Sequence, residues 1–293
     1  MDKHYWESSQ VPRMREILEG DAVGPVAMIY NEIRDCYRAP YVSSLFRHLA
    51  VYPGLLEWIW KILGPHLKSG RIQVTGWSRV DISKLEPIKS LTTQDLNRIG
   101  IDDDQVTIIK NICETFVRVS PINLVVSGCL HKLLTQRKLV KKNEKIAHTF
   151  TLPTPLLEMP SMLSWSELSY EQKNLLTSFE TLLAGEKFVP GIYLILARWP
   201  SFLCYVAEQL GPKLSDEKIL RRCEIIADKI FDASEEILED IDTSNQIPPV
   251  DSSQKKNILS AISTYRQTSP QMVGFGSLLL RALPPLKIKR EDF

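Results

Sequence analysis

The segment Ala50–Leu67, AVYPGLLEWIWKILGPHL, returns as Ala197–Leu214, ARWPSFLCYVAEQLGPKL. Both copies read Ala-x-aromatic-Pro, then an apolar run at helical spacing, then Leu-Gly-Pro-x-Leu, in a register held at 147 residues throughout. Other landmarks recur in the same order. Tyr41-Val42-Ser43 answers to Phe188-Val189-Pro190, and Phe46–Ala50 to Tyr193–Ala197. At a spacing of 149 residues, Ile101-Asp102-x-x-Gln105 answers to Val250-Asp251-x-x-Gln254, and Phe116–Pro121 to Tyr265–Pro270. A period this long marks a domain-sized unit, not a solenoid repeat. Two such units in one chain are expected to pack as a pseudo-dimer about an approximate two-fold, with any ligand site at the seam between them. The units span residues 1–139 and 167–293. Between them, residues 140–166 carry Pro153, Pro155 and Pro160 among Ser and Thr, the composition of a connection. The apolar residues of that segment, from Leu152 to Trp165, predict that it lies along the surface of the fold.

Apolar periodicity is helical almost everywhere, so the expected fold class is all-α, as two tandem similar helical bundles. Val11–Leu18, Val23–Tyr37, Val42–Tyr52 and Gly54–Leu63 read as successive helices with proline breaks, the last ended by Gly64-Pro65. Gly70–Val80 alternates enough to admit a short strand, and Val80–Ser90 admits a helix. Thr92 or Thr93 can cap Gln94–Ile99. Asp102 and Gln105 form a variant capping box for a helix running to about Val119, and Pro121 starts the next. In the second half, Leu168–Leu183 and Asp216–Asp240 read as helices, and QMVGFGSLLLRAL closes the chain's ordered pattern.

With 36 basic and 35 acidic residues the net charge is +1, which gives no reason to expect nucleic acid or an anionic membrane surface as partner. Arg137-Lys138, Lys141-Lys142 and Lys287–Arg290 are short and lie by helix ends, where cations suit the dipole. No signal-peptide pattern opens the chain, and no run reaches ~18 uninterrupted apolar residues. A cytoplasmic location follows as the expectation. The five cysteines are odd in number and none sits at CxxC spacing, which argues against a disulfide framework and against dithiol redox chemistry. Cys113, Cys129 and Cys204 fall in apolar runs and read as packed thiols.

The sequence holds no Gly-rich phosphate loop, no HExxH and no nucleophile elbow, and His4, His48, His66, His131 and His148 are scattered. No metal or other cofactor is therefore expected. Gly274-x-Gly276 reads as a close helix contact. Among carboxylates, Glu235, Glu236, Glu239 and Asp240 form a solvated stripe, and Asp102 and Asp251 are helix caps. Glu57 and Glu114 lie in mixed apolar segments and are the candidates for a buried general base. Aromatic residues crowd two places, around Tyr41–Trp60 and around Phe188–Tyr205. They read as core, or as the lining of a pocket for a small organic ligand.

PYVSSLFRHLAVYPGLLEWIWKILGPHL, its repeat FVPGIYLILARWPSFLCYVAEQLGPKL, and FVRVSPINL resemble the group I 2-haloacid dehalogenase family over nearly the whole chain. The resemblance implies an all-α fold of two similar units and a cofactor-free hydrolysis of a small carboxylic acid. In that family an aspartate of the second unit activates a water, which attacks the halogen-bearing carbon directly and inverts it. Such chemistry needs a buried base, donors for the substrate carboxylate and an apolar halide pocket. The resemblance implies a pocket at Tyr41, Phe116, Gly191, Ile192, Tyr193 and Tyr265, and a homodimer. The family's aspartate directly precedes the aromatic that matches Tyr193, in a Ser-Asp-Tyr context. Here that stretch is Gly191-Ile192-Tyr193. The family also places an asparagine near Phe116–Ser120, where this chain has none before Asn123. Two expectations follow: a hydrolase using a displaced acid such as Glu114, or a non-catalytic binding or structural relative that keeps the fold.

Overall fold

The computed structural model describes residues 15–135, 150–183, 186–242 and 246–285. The first half supplies α1 (Gly24–Tyr37), α2 (Ser44–Leu49), α3 (Leu55–Lys68), α4 (Arg71–Ser78), α5 (Thr93–Arg98) and α6 (Asp103–Thr135). The second supplies α7 (Tyr170–Leu176), a hairpin of β1 (Thr181–Leu183) and β2 (Glu186–Phe188), α8 (Gly191–Leu196), α9 (Pro200–Leu214), α10 (Glu217–Asp232), α11 (Ser234–Leu238) and α12 (Ser252–Ala282). Apart from that hairpin, in which Thr181 faces Phe188, the regular structure described is helical, so the fold is all-α. One hydrophobic core runs through both halves.

Two prolines that the sequence reads as helix boundaries, Pro65 and Pro121, lie inside helices, as do their repeat counterparts. Pro65 and Pro212 sit in α3 and α9, and Pro121 and Pro270 in α6 and α12. Neither Gly64-Pro65 nor Pro121 is therefore a boundary. An interior proline removes one backbone donor and crowds the preceding turn, at about 3 kcal/mol in an isolated helix. Here burial offsets that cost, because Pro121 and Pro270 lie in the buried stretches of their helices. Neighbouring donors also use the carbonyls of the turns the prolines loosen. The Trp77 indole donates to the Arg118 carbonyl at 2.9 Å, and the Ser269 hydroxyl to the Tyr265 carbonyl at 2.6 Å. Gly76 brings α4 onto this turn, since a Cβ there would lie 2.9 Å from the Pro121 carbonyl oxygen.

α6 and α12, matched in sequence, form the most extensive helix pair in the structure. Each opens with the expected reciprocal box: Asp102 with Gln105, and Asp251 with Gln254, at 2.8 and 3.0 Å in both. α6 is long and apolar enough by composition to cross a membrane, but 72% of its apolar window is buried within the protein, as in a core helix. The run Asp216–Asp240 is not one helix; it breaks at Ala233 between α10 and α11. There the backbone meets α6 at Gly128, where a Cβ would fall 2.2 Å from the Phe231 carbonyl oxygen. The acidic stripe that follows is not simply solvated. Glu235 pairs with Lys132 at 2.7 Å, Glu236 with Arg79, and Asp240 with Arg71, so it ties α11 and its C-terminal end to the first half.

Local expectations shift in four further places. Gly70–Val80 is the helix α4 and not a strand, because Ile72, Gln73, Thr75 and Gly76 bury at helical spacing. Val80–Ser90 is an irregular stretch with one turn at Ser83-Lys84, and it buries Ile82, Leu85 and Ile88. The helix expected over Leu168–Leu183 stops at Leu176, where the Thr177 hydroxyl bonds the Asn174 carbonyl at 2.6 Å and the chain tightens into a 3₁₀ turn before β1. Of Val11–Leu18, residues 15–18 are extended strap, with a 3₁₀ turn at Glu19–Asp21; residues 11–14 lie outside the described residues. So do His4, His148, Arg137-Lys138, Lys141-Lys142 and Lys287–Arg290.

The described part of the connection, residues 150–166, lies along the fold as expected. Leu156 is buried and its N–H donates to the Arg38 carbonyl at 2.8 Å, while the Asn111 amide holds the Leu157 backbone through two 2.9 Å bonds. Leu152, Leu157 and Met162 nevertheless stay exposed.

Gly128→Ala should destabilise the protein by about 1–3 kcal/mol through overpacking against backbone. Gly20→Ala, with nothing within 4 Å of the added Cβ, should change stability by less than about 0.5 kcal/mol. Urea denaturation midpoints of the two variants check this.

Candidate functional site

The residues expected to line a pocket fall into two clusters, each at a contact between a short helix of one half and the long helix of the other. At the first, α2 begins at Ser44, and the Ser44 hydroxyl bonds the Tyr265 hydroxyl on α12. Tyr41 lies just before it, in the turn after α1. Burial raises the pKa values of both Tyr41 and Tyr265, and the positive charge of Arg47 opposes the rise in each. Behind them sits Asn123 of α6, buried, whose carbonyl oxygen accepts from the Tyr37 hydroxyl at 3.0 Å and the Ser43 hydroxyl at 3.3 Å. This end is polar: phenols, serines and an amide converge where the two halves meet.

At the second contact α8 begins at Gly191, opposite Phe116 of α6. A Cβ on Gly191 would lie 4.0 Å from Phe116 Cζ and 2.9 Å from Met162 Sδ. The connecting segment is clamped over this point. Arg198 holds Ser161 through bonds of 2.9 and 2.7 Å, and the Leu163 N–H reaches the Leu194 carbonyl at 3.4 Å. Ile192 is 1% exposed. Tyr193 is fully buried and stacks on Phe179, with ring centroids 4.0 Å apart and planes 13° apart. Its hydroxyl has no hydrogen-bond partner among the described residues, and burial drives its pKa upward. This end is apolar and filled.

Glu114 belongs to neither cluster. It pairs with Arg118 one turn along α6, and its side chain is 42% exposed, so the expectation of a desolvated base at Glu114 is not met. It lines an open groove of about 350 Å³ with Trp77, Val80, Val117, Arg118 and Pro153. Glu57 is half-buried in the first turn of α3. Among the described residues no Asp or Glu is fully buried, and no group of three His, Cys, Asp or Glu side chains is placed to hold a metal.

The packed-thiol expectation holds for Cys113 and Cys129 and fails for Cys204, which is exposed. α9 turns Phe202, Leu203, Val206 and Leu210 inward, leaving Cys204 on the outer side. Burial raises the Cys36 thiol to about 11 and the Cys113 and Cys223 thiols to about 12. Gly274 does make the close contact expected of it, against the Cys223 sulfur.

Ser44, Asn123 and Arg47 were not singled out as site residues by motif. For Ser44 a signal existed: in the 147-residue register it is the counterpart of Gly191.

No family model and no curated protein matches the chain. Solved structures of D-2-haloacid dehalogenases do match it in fold. A mutant in complex with D-2-CPA superposes with a TM-score of 0.67, covering 92% of this chain and 95% of that one at 16% identity. A second mutant structure gives a TM-score of 0.69 with the same identity and coverage. A complex with L-LA gives 0.66 over 92% of this chain and 96% of that one, again at 16% identity. At this identity the likeness is one of fold.

Two outcomes follow from the burial pattern. Tyr193→Phe removes an unpartnered buried hydroxyl and keeps the stacked ring, so stability should hold or rise, by up to about 1–2 kcal/mol; a thermal or urea melt checks it. Titration of the native protein with an aromatic disulfide at pH 8 should release one fast equivalent per chain, from Cys204, and the other four only on unfolding.

Proposed function

We propose that this chain is a relative of the 2-haloacid dehalogenases that keeps their fold without their hydrolysis, and that it binds a small organic acid at the seam between its halves. The observation that carries this reading is Ile192, an aliphatic side chain 1% exposed, at the position where the resemblance puts the water-activating aspartate. A side chain without a lone pair cannot take a proton from water. Glu114 is half-exposed and ion-paired, and Glu180, which follows the Phe179 ring stacked on Tyr193, pairs with Lys187 at 2.8 Å through one oxygen, while its other oxygen is buried without a hydrogen-bond partner among the described residues. Asn123 supplies an amide near the position where the family has one, but its oxygen is taken by Tyr37 and Ser43.

The duplication supports placing the ligand at the seam. In the repeat register Ser44 corresponds to Gly191 and Tyr265 to Phe116. The contacts Ser44–Tyr265 and Gly191–Phe116 are then one contact made twice, with the halves exchanged, which is what an approximate two-fold between units 1–139 and 167–293 would generate. The two copies have diverged in chemistry. One is polar and lined by half-buried phenols, the other apolar and closed by Met162. A small acid is suited to the first.

The purified protein should release no halide from D- or L-2-chloropropionate between pH 6 and 10. Ile192→Asp should not restore release, because the added carboxylate enters a filled, apolar site, and it should destabilise the fold by several kcal/mol, on the order of 3. Sustained halide release by the unaltered protein would falsify the non-hydrolytic reading; release by the variant alone would show that the site is open to substrate.

A further inference from the structure

We infer that Arg47, one turn along α2 from the Ser44 hydroxyl that meets Tyr265, is a carboxylate-binding site that the chain occupies with its own Glu16. The Arg47 Nε donates to Glu16 Oε2 at 2.8 Å, and the two side chains are 24% and 20% exposed. The pair is thus reached by solvent yet shielded from it. Arg47 leaves α2 one turn after Ser44, on the side that meets Tyr265. Its charge acts on three phenols, Tyr30, Tyr41 and Tyr265, lowering in each a pKa that burial raises. One guanidinium among several hydroxyls is the chemistry that recognises a carboxylate.

Glu16 and Glu19 sit on the same strap, residues 15–21, and are held in different ways. Glu19 is a structural tether: one oxygen accepts from the Val42 N–H at 2.8 Å and the other pairs with Arg34. Glu16 has one hydrogen-bond partner among the described residues, Arg47, and no backbone donor. The rest of the strap is fixed independently. The Ile17 N–H donates to the Arg47 carbonyl at 3.1 Å, Tyr30 donates to the Ile17 carbonyl at 2.9 Å, and His48 Nδ1 meets the Arg15 carbonyl at 2.8 Å. The Glu16 carboxylate can therefore swing away while the strap stays in place. Arg47 uses only its Nε in this pair among the described residues, which leaves its terminal nitrogens for a two-point grip on an incoming acid. Tyr41 and Tyr265 are partly buried and pack against the core, so the ligand class that fits is a small monocarboxylate with a short aliphatic or aromatic body.

This inference rests on the seam as ligand site but not on the loss of hydrolysis. The test uses the full chain, with benzoate and propionate as probes and benzamide as the neutral control, read by calorimetry. Glu16→Gln should bind benzoate about tenfold more tightly than the unaltered chain, the scale of one charge-assisted hydrogen bond made available. Adding Arg47→Gln should abolish the gain, Arg47→Lys should retain part of it, and benzamide should respond to neither. Denaturation midpoints verify that each variant folds, and the lysine variant carries the test if the glutamine variant does not. Equal affinity of Glu16→Gln and the unaltered chain overturns the inference, as does a gain that survives the loss of Arg47. Benzoate binding that is indifferent to both residues overturns it while leaving the seam's ligand role standing; halide release would overturn the loss of hydrolysis and leave this inference standing.

Discussion

The close approach of α6 and α12 is the constraint on which the rest of the structure depends. Each carries an interior proline, and each presents, five residues before it, an aromatic side chain to the other half: Phe116 and Tyr265. The prolines would break free-standing helices. They persist here because the turns that hold them are buried and because donors on neighbouring elements, such as the Trp77 indole, use the carbonyls of those turns. Small residues set the spacing. Gly128 admits the α10–α11 junction, Gly76 admits α4, and Gly274 admits Cys223. A close-packed interior tolerates no added atom at such contacts without rearrangement.

On this shared frame the two ends of the seam have opposite chemistry. At α2 the chain spends buried polar groups in matched pairs, Tyr37 and Ser43 on Asn123 and Ser44 on Tyr265. At α8 it presents Gly191, Ile192 and Phe116, and tolerates one unpartnered Tyr193 hydroxyl. That hydroxyl costs about 1–3 kcal/mol, partly offset by a stacked pair worth about 0.5–1.5 kcal/mol beyond its burial. A water-activating acid would need lone pairs facing a dry cavity and a held water. At the α8 end the partly exposed Met162 thioether and the Phe116 ring stand against Gly191 instead, beside a buried Ile192.

Much of this was legible in the sequence. The helical periodicity gave the all-α class, and both capping boxes stand where Asp102 and Asp251 predicted them. The prolines misled, because sequence gives the missing donor but not the burial that offsets it. The site was legible only in part. Tyr41 with Tyr265 and Phe116 with Gly191 do lie together, but as separate clusters, since which residues of a helix face the other half depends on how it packs. Glu114 sat in an apolar context along the chain yet is 42% exposed and pairs with Arg118 one turn later. Arg47 and Glu16 belong to no motif; they meet only because the strap folds back across α2.

Charge at the seam is confined to its rim, and this has a physical reason. A carboxylate buried without a partner loses several kcal/mol of solvation, whereas a partly exposed pair with arginine stays solvated on one side. Arg47–Glu16 and Arg34–Glu19 follow that rule. Behind them stand neutral donors and acceptors, Asn123, Ser43 and Tyr37. A fold can host many chemistries, and what separates them here is where charge is allowed to stand.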